Sequence, residues 1–177
     1  MNFDELIPED VVEDGLEGKL VFENFDDTET PWIWNNKPIA EIPQNSVSFV
    51  YRITNTITHK FYIGYKGLTS KRTKIVKGKK KHLIVESDWK SYWSSGDALH
   101  RDINYYGIGN YKREILAFCP NKAVGKYLEL VLQIKNGVLT FNAENSFNGI
   151  VNVRLGSATL KRYKEIIFCE ELKGFVV

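Results

Sequence analysis

Tyr51 and Tyr62 lie eleven residues apart, each at the core of a short apolar run, and Arg72 follows in a strongly basic stretch. A phenol can accept or pass on a proton, and a guanidinium can grip a phosphate oxygen with its planar fork. Paired phenols followed by such cations suit the cutting of a phosphodiester. Glu129 is the fourth group of interest. It stands alone in Tyr127-Leu128-Glu129-Leu130-Val131-Leu132, where burying a carboxylate is costly unless a cation or donors meet it. Gly125 and Gln133 share its helical face, the glycine leaving space and the glutamine offering a polar neighbour. Two readings stay open for Glu129: an exposed residue on the solvent stripe, or an oxygen ligand for a divalent cation such as magnesium, which takes one or two carboxylates and keeps several waters.

These groups need elements to hold them. The runs Val47-Ser48-Phe49-Val50-Tyr51-Arg52-Ile53 and Lys60-Phe61-Tyr62-Ile63-Gly64 are rich in aromatic and β-branched residues, which predicts strands near 46–54 and 59–65. The polar link between them, which includes His59 as a turn residue, is short enough for a hairpin. A turn centred near Thr56-Ile57 sets the two tyrosines opposite each other on one side of the ladder. A helix is expected to begin near Ser70 and break at Gly78. A second helix is expected over Asp97–Tyr106, capped by Ser95, stopped by Gly107, and buried through Leu99, Ile103 and Tyr106, with His100 on its surface. Tyr111 to Phe118 predicts a third strand. Asn121 then caps the clearest helix, with Val124, Tyr127, Leu128, Val131 and Ile134 as its apolar positions and Gly137 as its end. Pro31-Trp32-Ile33-Trp34-Asn35-Asn36 suits an aromatic clasp and turn packed on the domain. The order β-β-α-α-β-α indicates an α+β fold around a small antiparallel or mixed three-stranded sheet flanked by helices.

Composition narrows the partners. The 177 residues are 43% hydrophobic, enough for a real core. No run of 18 apolar residues suggests a membrane span, and the acidic N-terminus is unlike a signal peptide. Cys119 and Cys169 are flanked by apolar residues, which suits buried thiols in a reducing compartment, the cytoplasm. No Cys/His spacing suggests zinc. The net charge of +2 hides an asymmetry. Residues 1–30 hold eleven acids and one lysine, leaving 23 basic residues against 11 acids in the rest. Lys71, Arg72, Lys74, Lys77, Lys79, Lys80 and Lys81 crowd together, with His82 next and Trp89, Tyr92 and Trp93 soon after. Such a stretch suits a polyanion, with lysines on phosphates and Trp89 and Tyr92 against sugars or bases. The acidic arm suits either a restraint on this basic body or a solubilising tail.

Phe49-Val50-Tyr51, Tyr62-Ile63-Gly64, Arg72 and Glu129 together resemble the GIY-YIG nuclease family. The spacing of the tyrosines matches that family, as does an arginine eight residues after the second glycine. Residues 31–155 are also similar to phage-borne, homing-endonuclease-like members. The matching stretches include Ser87-Asp88-Trp89-Lys90-Ser91-Tyr92-Trp93-Ser94-Ser95, Lys112-Arg113-Glu114-Ile115-Leu116 and Asn148-Gly149-Ile150-Val151-Asn152-Val153-Arg154. This division leaves 1–30 as the acidic arm and 156–177 as an extension packing on the domain. The resemblance implies a metal-dependent endonuclease on double-stranded DNA, a nickase where one site acts alone, working as a monomer or transient dimer in a host cytoplasm. It implies Mg2+ or Mn2+ on Glu129, Tyr51 as general base (a phenolate favoured by nearby cations), Tyr62 positioning water or phosphate, and Arg72 as a phosphate clamp. It also implies a supporting asparagine, Asn148 or alternatively Asn142. Two departures stand out: Phe49 replaces the glycine of the first motif, and Tyr65 rather than a basic residue follows Gly64. Lys66 or His82 are therefore candidates for proton handling. A binding protein that has lost catalysis, or a nuclease directed at RNA, are the alternatives.

Overall fold

The computed structural model describes residues 30–76 and 79–151, with backbone alone for 74–76 and 79–82. The expected acidic arm apart from Thr30, the expected C-terminal extension, Lys77 and Cys169 fall outside the described residues, as do the side chains of Lys74, Lys79, Lys80, Lys81 and His82.

Three antiparallel strands form the centre: β3 (Ser48–Asn55), β4 (Phe61–Gly67) and β7 (Tyr111–Cys119). The sheet is wider than expected. The tryptophan clasp forms β1 (Trp32–Trp34), parallel to β7, and turns through Asn35 and Asn36, both at positive φ, into β2 (Lys37–Pro38). Asparagine tolerates that left-handed conformation better than most residues, as a two-residue hairpin needs. The sheet order is β2-β1-β7-β3-β4, which makes β4 an edge.

The helix expected from Ser70 is instead an antiparallel pair, β5 (Thr69–Val76) and β6 (Lys79–Glu86). Its β-branched content explains the difference. Thr69, Thr73, Ile75, Val76, Ile84 and Val85 favour strands, and the interspersed lysines favour neither state strongly enough to override them.

The two helices fall where expected, with adjusted caps. α1 (Asp97–Tyr106) buries Leu99 and Ile103 and stops at Gly107, at φ 81. Its N-cap is Gly96 rather than Ser95, and the Ser94 hydroxyl accepts from the Gly96 amide at 2.9 Å. His100 is half-buried, its Nε2 3.2 Å from the carbonyl oxygens of Trp93 and Ser94, so it is not a free surface residue. α2 (Lys122–Lys135) is capped by Asn121, whose side chain accepts from the amides of Ala123 and Val124. Its buried face is Val124, Gly125, Leu128, Leu132 and Gln133; Ile134, expected inside, is 65% exposed.

Each face of the sheet has its own core. Val50, Phe61, Ile63, Ala117 and Cys119 pack with α2. Phe49, Tyr51, Ile53 and Ile115 pack with Trp32, Trp89, Trp93 and the apolar stripe of α1.

Candidate active site

Asn55 sets the register that positions the phenols. Its side-chain oxygen accepts from the amides of Ile57 and Thr58, and its amide group donates to Asp102 and to the Tyr111 hydroxyl. The β3–β4 turn is thereby pinned to α1 and centres one residue later than expected. Tyr51 pairs with Gly64, and Ile53 with Tyr62. The tyrosines are thus diagonal neighbours on one face, stacked with ring centroids 6.2 Å apart and planes at 23°. Gly64 is required opposite Tyr51: a Cβ there would stand 2.5 Å from the Tyr51 hydroxyl oxygen and 2.7 Å from Tyr62 Cε1.

The loop between β6 and α1 closes the other side. Tyr92 meets Tyr51 edge-on, with centroids 6.0 Å apart, and both Tyr92 and Ser94 hydrogen-bond with the Tyr51 hydroxyl. Lys66 reaches over from β4. Its Nζ is 3.4 Å from the Tyr92 ring centroid and 2.6 Å from Asp88 Oδ1. Tyr51 is only 1% exposed. Burial, reinforced by Tyr92 and Tyr62, pushes its phenol well above the ordinary value of 10.0. A cation-favoured phenolate at Tyr51 is therefore corrected: desolvation dominates, and the hydroxyl is held protonated. Burial also raises Tyr92, against hydrogen bonds with Ser95 and Tyr51 that lower it.

Glu129 projects from α2. Its side chain is 12% exposed and pairs with Lys126 at 2.8 Å, which settles its setting as a largely covered carboxylate rather than a free solvent-stripe residue. The neighbours expected for it are occupied. The Tyr65 ring fills the space left by Gly125, and the Gln133 amide donates to the Ile63 carbonyl at 3.0 Å. Lys126 Nζ also lies 4.7 Å from the Tyr65 ring centroid. Among the described residues no cluster of three or more His, Cys, Asp or Glu could form a metal cage. Glu129 could serve as one carboxylate ligand for a cation such as magnesium, which takes one or two carboxylates and keeps several waters.

Asn148 fastens the edge of β4. It accepts from the Ile63 amide at 2.9 Å and donates to the Ile63 carbonyl at 2.8 Å, fixing the backbone between Tyr62 and Gly64. Asn142 instead donates to the Asn136 carbonyl at the end of α2, so of the two asparagines the structure brings Asn148 to the paired strands.

Other expected residues stand apart. Arg72 lies exposed on β5 opposite Leu83, and Lys71 is exposed beside it. Among the described contacts neither meets the tyrosines. Lys74 is on the same strand, and Lys79, Lys80, Lys81 and His82 are on β6. Trp89, expected against DNA, is 5% exposed, edge-on to Phe49, and receives a hydrogen bond from Trp32 at its carbonyl. Stacking on bases is closed to it. Tyr92 is half-buried beside Tyr51 rather than out on the basic hairpin.

Arg113 was not anticipated. It is 1% exposed, donates to the carbonyls of Thr30, Lys90 and Tyr92, and lies between the rings of Trp32 and Trp93 at 4.8 and 4.6 Å. It ties β7 to the loop that carries Tyr92 and Ser94. The signal was its parity: Tyr111, Arg113 and Ile115 alternate on the Tyr51 side of β7, and the register shift opposite Val50/Tyr51 then turns Ala117 and Cys119 to the α2 side.

The structure thus gathers Tyr51, Tyr62, Tyr92 and Lys66 on one face, sets Glu129 on the helix packed against the other, and joins them through β4. Among the described residues no helix is long and apolar enough to cross a membrane. No curated protein and no solved structure matches the chain. Residues 32–153 match the family described as "Putative endonuclease segE, GIY-YIG domain". That span includes both tyrosine strands, α2 and Asn148, and the chain belongs to the GIY-YIG nuclease family.

Proposed function

We propose that this protein is a divalent-metal-dependent endonuclease acting on double-stranded DNA. The observation that carries the reading is the stacked Tyr51–Tyr62 pair beside a side-chain-free Gly64, inside a nuclease-family match. Glu129 would hold magnesium or manganese, which when bound would supply charge neutralisation at a scissile phosphate and assistance to the leaving oxygen. Lys126 must yield its contact with Glu129 for this. Tyr62, partly exposed, orients water or a phosphate oxygen. Tyr51 takes up the water's proton as its own is passed on. Arg72 and the lysines of the β5–β6 hairpin grip backbone phosphates, the guanidinium as a clamp and the ammoniums as point charges. Asn148 keeps the β4 edge straight beneath the phenols. Lys66 tunes Tyr92, and His82 is the second candidate for proton handling. The protein acts alone or as a transient dimer on DNA, in the cytoplasm; nicking follows if one site meets one strand.

A second reading, binding without cutting, is favoured by two observations: Tyr51 is closed to solvent and Glu129 is already paired with Lys126. Supercoiled plasmid and an RNA duplex of matched sequence, each incubated with Mg2+, Mn2+ or a chelator, separate the readings. Nicked or linear plasmid with metal alone is expected. Retarded but intact plasmid under every condition supports the second reading, and cleavage confined to RNA overturns the choice of substrate.

A further inference from the structure

The β5–β6 ribbon is a two-stranded sheet of its own, and among the described residues each strand pairs only with the other. It leaves the central sheet through a fixed base. Leu68, the single residue between β4 and β5, is 5% exposed, and its amide donates to the Val47 carbonyl at 2.9 Å. On the returning side the Ser87 amide donates to the Leu68 carbonyl at 2.9 Å, and the Ser87 hydroxyl to the Gly67 carbonyl at 2.6 Å. Beyond that base the ribbon opens to solvent. Lys71 is in register with Ile84, Arg72 with Leu83, and all four are exposed. Successive side chains alternate across a strand, so the ribbon has a Lys71–Ile84 face and an Arg72–Leu83 face. Ile84 is 72% exposed. Phosphates alone would be served by cations; an isoleucine set beside an ammonium in open solvent suits a partner surface that carries both acceptors and methyl groups.

We propose that this ribbon lies in the major groove of the substrate duplex, with its Lys71–Ile84 face on the base edges, and thereby selects the sequence that is cut. The proposal deepens the nuclease reading and rests on its choice of duplex DNA. Dimensions favour that groove. Two strands about 4.8 Å apart fit with their side chains into a groove about 12 Å wide, whereas the minor groove, about 6 Å wide, is too narrow for them without being forced open. The major groove of an RNA duplex is deep, narrow and closed to side chains. Base edges in the DNA groove offer what the face can meet: guanine O6 and N7 accept from an ammonium, and the thymine methyl packs against an aliphatic side chain. Arg72, on the opposite face, is left to a flanking phosphate. The base of the ribbon is bonded to Gly67 of β4 and to Val47 beside β3. The base pairs it meets therefore keep a fixed separation from Tyr62, so selecting a sequence also sets where the cut falls.

The test uses the full chain with a chelator present, so that binding is read without cutting. A pool of random-sequence duplexes is selected for binding and sequenced. The enriched duplex is then probed with dimethyl sulfate, which methylates guanine N7 in the major groove and adenine N3 in the minor groove. The wild type is expected to enrich a short motif and to protect guanine N7 within it, leaving adenine N3 reactive. Ile84→Ser should lower the preference for that motif over unselected duplex at least ~5-fold, the lower range for one lost base contact. Its affinity for unselected duplex and the salt slope of that affinity should stay unchanged. Lys71→Gln should relax the motif at a neighbouring base pair, and it serves alone if Ile84→Ser does not fold. Protection of adenine N3 without guanine N7, or a motif that the folded variants keep unchanged, overturns the proposal. A wild type that cuts plasmid in Mg2+ but enriches no motif also overturns it and leaves the nuclease reading standing. A wild type that protects guanine N7 but cuts in neither Mg2+ nor Mn2+ defeats the nuclease reading and leaves the ribbon in its groove.

Discussion

The two faces of the central sheet carry different chemistry. Against α2 the strands present Val50, Phe61, Ile63 and Ala117 to Val124, Leu128 and Leu132, a mainly aliphatic layer. On the opposite face the same strands present Tyr51, Tyr62 and Lys66 to Tyr92 and Ser94, with Trp32, Trp89 and Trp93 behind. The first face gains stability from burial and has few polar groups to satisfy. The second must satisfy four hydroxyls, an ammonium and the wholly buried Arg113, whose guanidinium donates to backbone carbonyls and lies against two tryptophan faces. Polar groups of this kind in a core are expensive. Their concentration on one face of a small sheet marks that face as the working one, and leaves the α2 face to hold the fold and to present Glu129 at its margin.

The contrast can be broken most severely at Glu129. Glu129→Gln keeps the helix and its aliphatic stripe and removes the charge, so cleavage should fall below detection while thermal unfolding and DNA retention stay near wild type. Tyr51→Phe comes next: a loss of at least ~100-fold in single-turnover rate is expected, with folding intact, because only a hydroxyl is removed. Leu128→Ala tests the other face and should destabilise by about 2–5 kcal/mol through the cavity it leaves, read by denaturant unfolding, yet leave the rate per folded molecule nearly unchanged.

Alkaline pH tests the buried phenols, which lie on both faces: Tyr51 and Tyr92 on one and Tyr65 on the other, all raised chiefly by burial. The folded-state pKa of Tyr51 lies above its unfolded value of 10.0. The stabilisation this represents is complete below pH 10 and is lost as pH rises through the higher folded value. Tyr92 and Tyr111 are shifted in the same direction, chiefly by burial. Unfolding midpoints should therefore stay level up to about pH 10 and fall above it, and Tyr51→Phe should soften that fall. An identical alkaline limb in the variant would remove Tyr51 from this explanation. The smallest effect is expected on the hairpin. Arg72→Ala should weaken binding to all DNA sequences alike and reduce the log–log salt slope by roughly 0.9, one phosphate contact.

Much of this was readable from residue order. Strong alternation and β-branching located β3, β4 and β7, and Asn121 and Gly107 marked helix boundaries because their local bonding is decided within a few residues. The tyrosine spacing, too, is a local property of a hairpin. What could not be read depends on packing between distant segments. The lysine-rich stretch from Ser70 to Gly78 looked helical because charge masked its β-branched content. The turn at Asn55 shifted by one residue because Asp102 and Tyr111, far along the chain, hold the asparagine. Trp89 looked like a stacking residue because nothing in its own segment reveals that Phe49 and Trp32 enclose it. Arg113 lay on the buried parity of its strand, but no short-range rule supplies the carbonyls from Thr30, Lys90 and Tyr92 that satisfy it.

The most direct test compares one hydroxyl on one face with one aliphatic side chain on the other. Single-turnover plasmid cleavage in Mg2+, normalised to folded protein, should be at least ~100-fold slower for Tyr51→Phe, a usual cost of losing proton transfer, and within about threefold of wild type for Leu128→Ala, whose effect is on stability. Equal rates for wild type and Tyr51→Phe, with the loss appearing in Leu128→Ala instead, would contradict the assignment of the phenol-bearing face as the catalytic one.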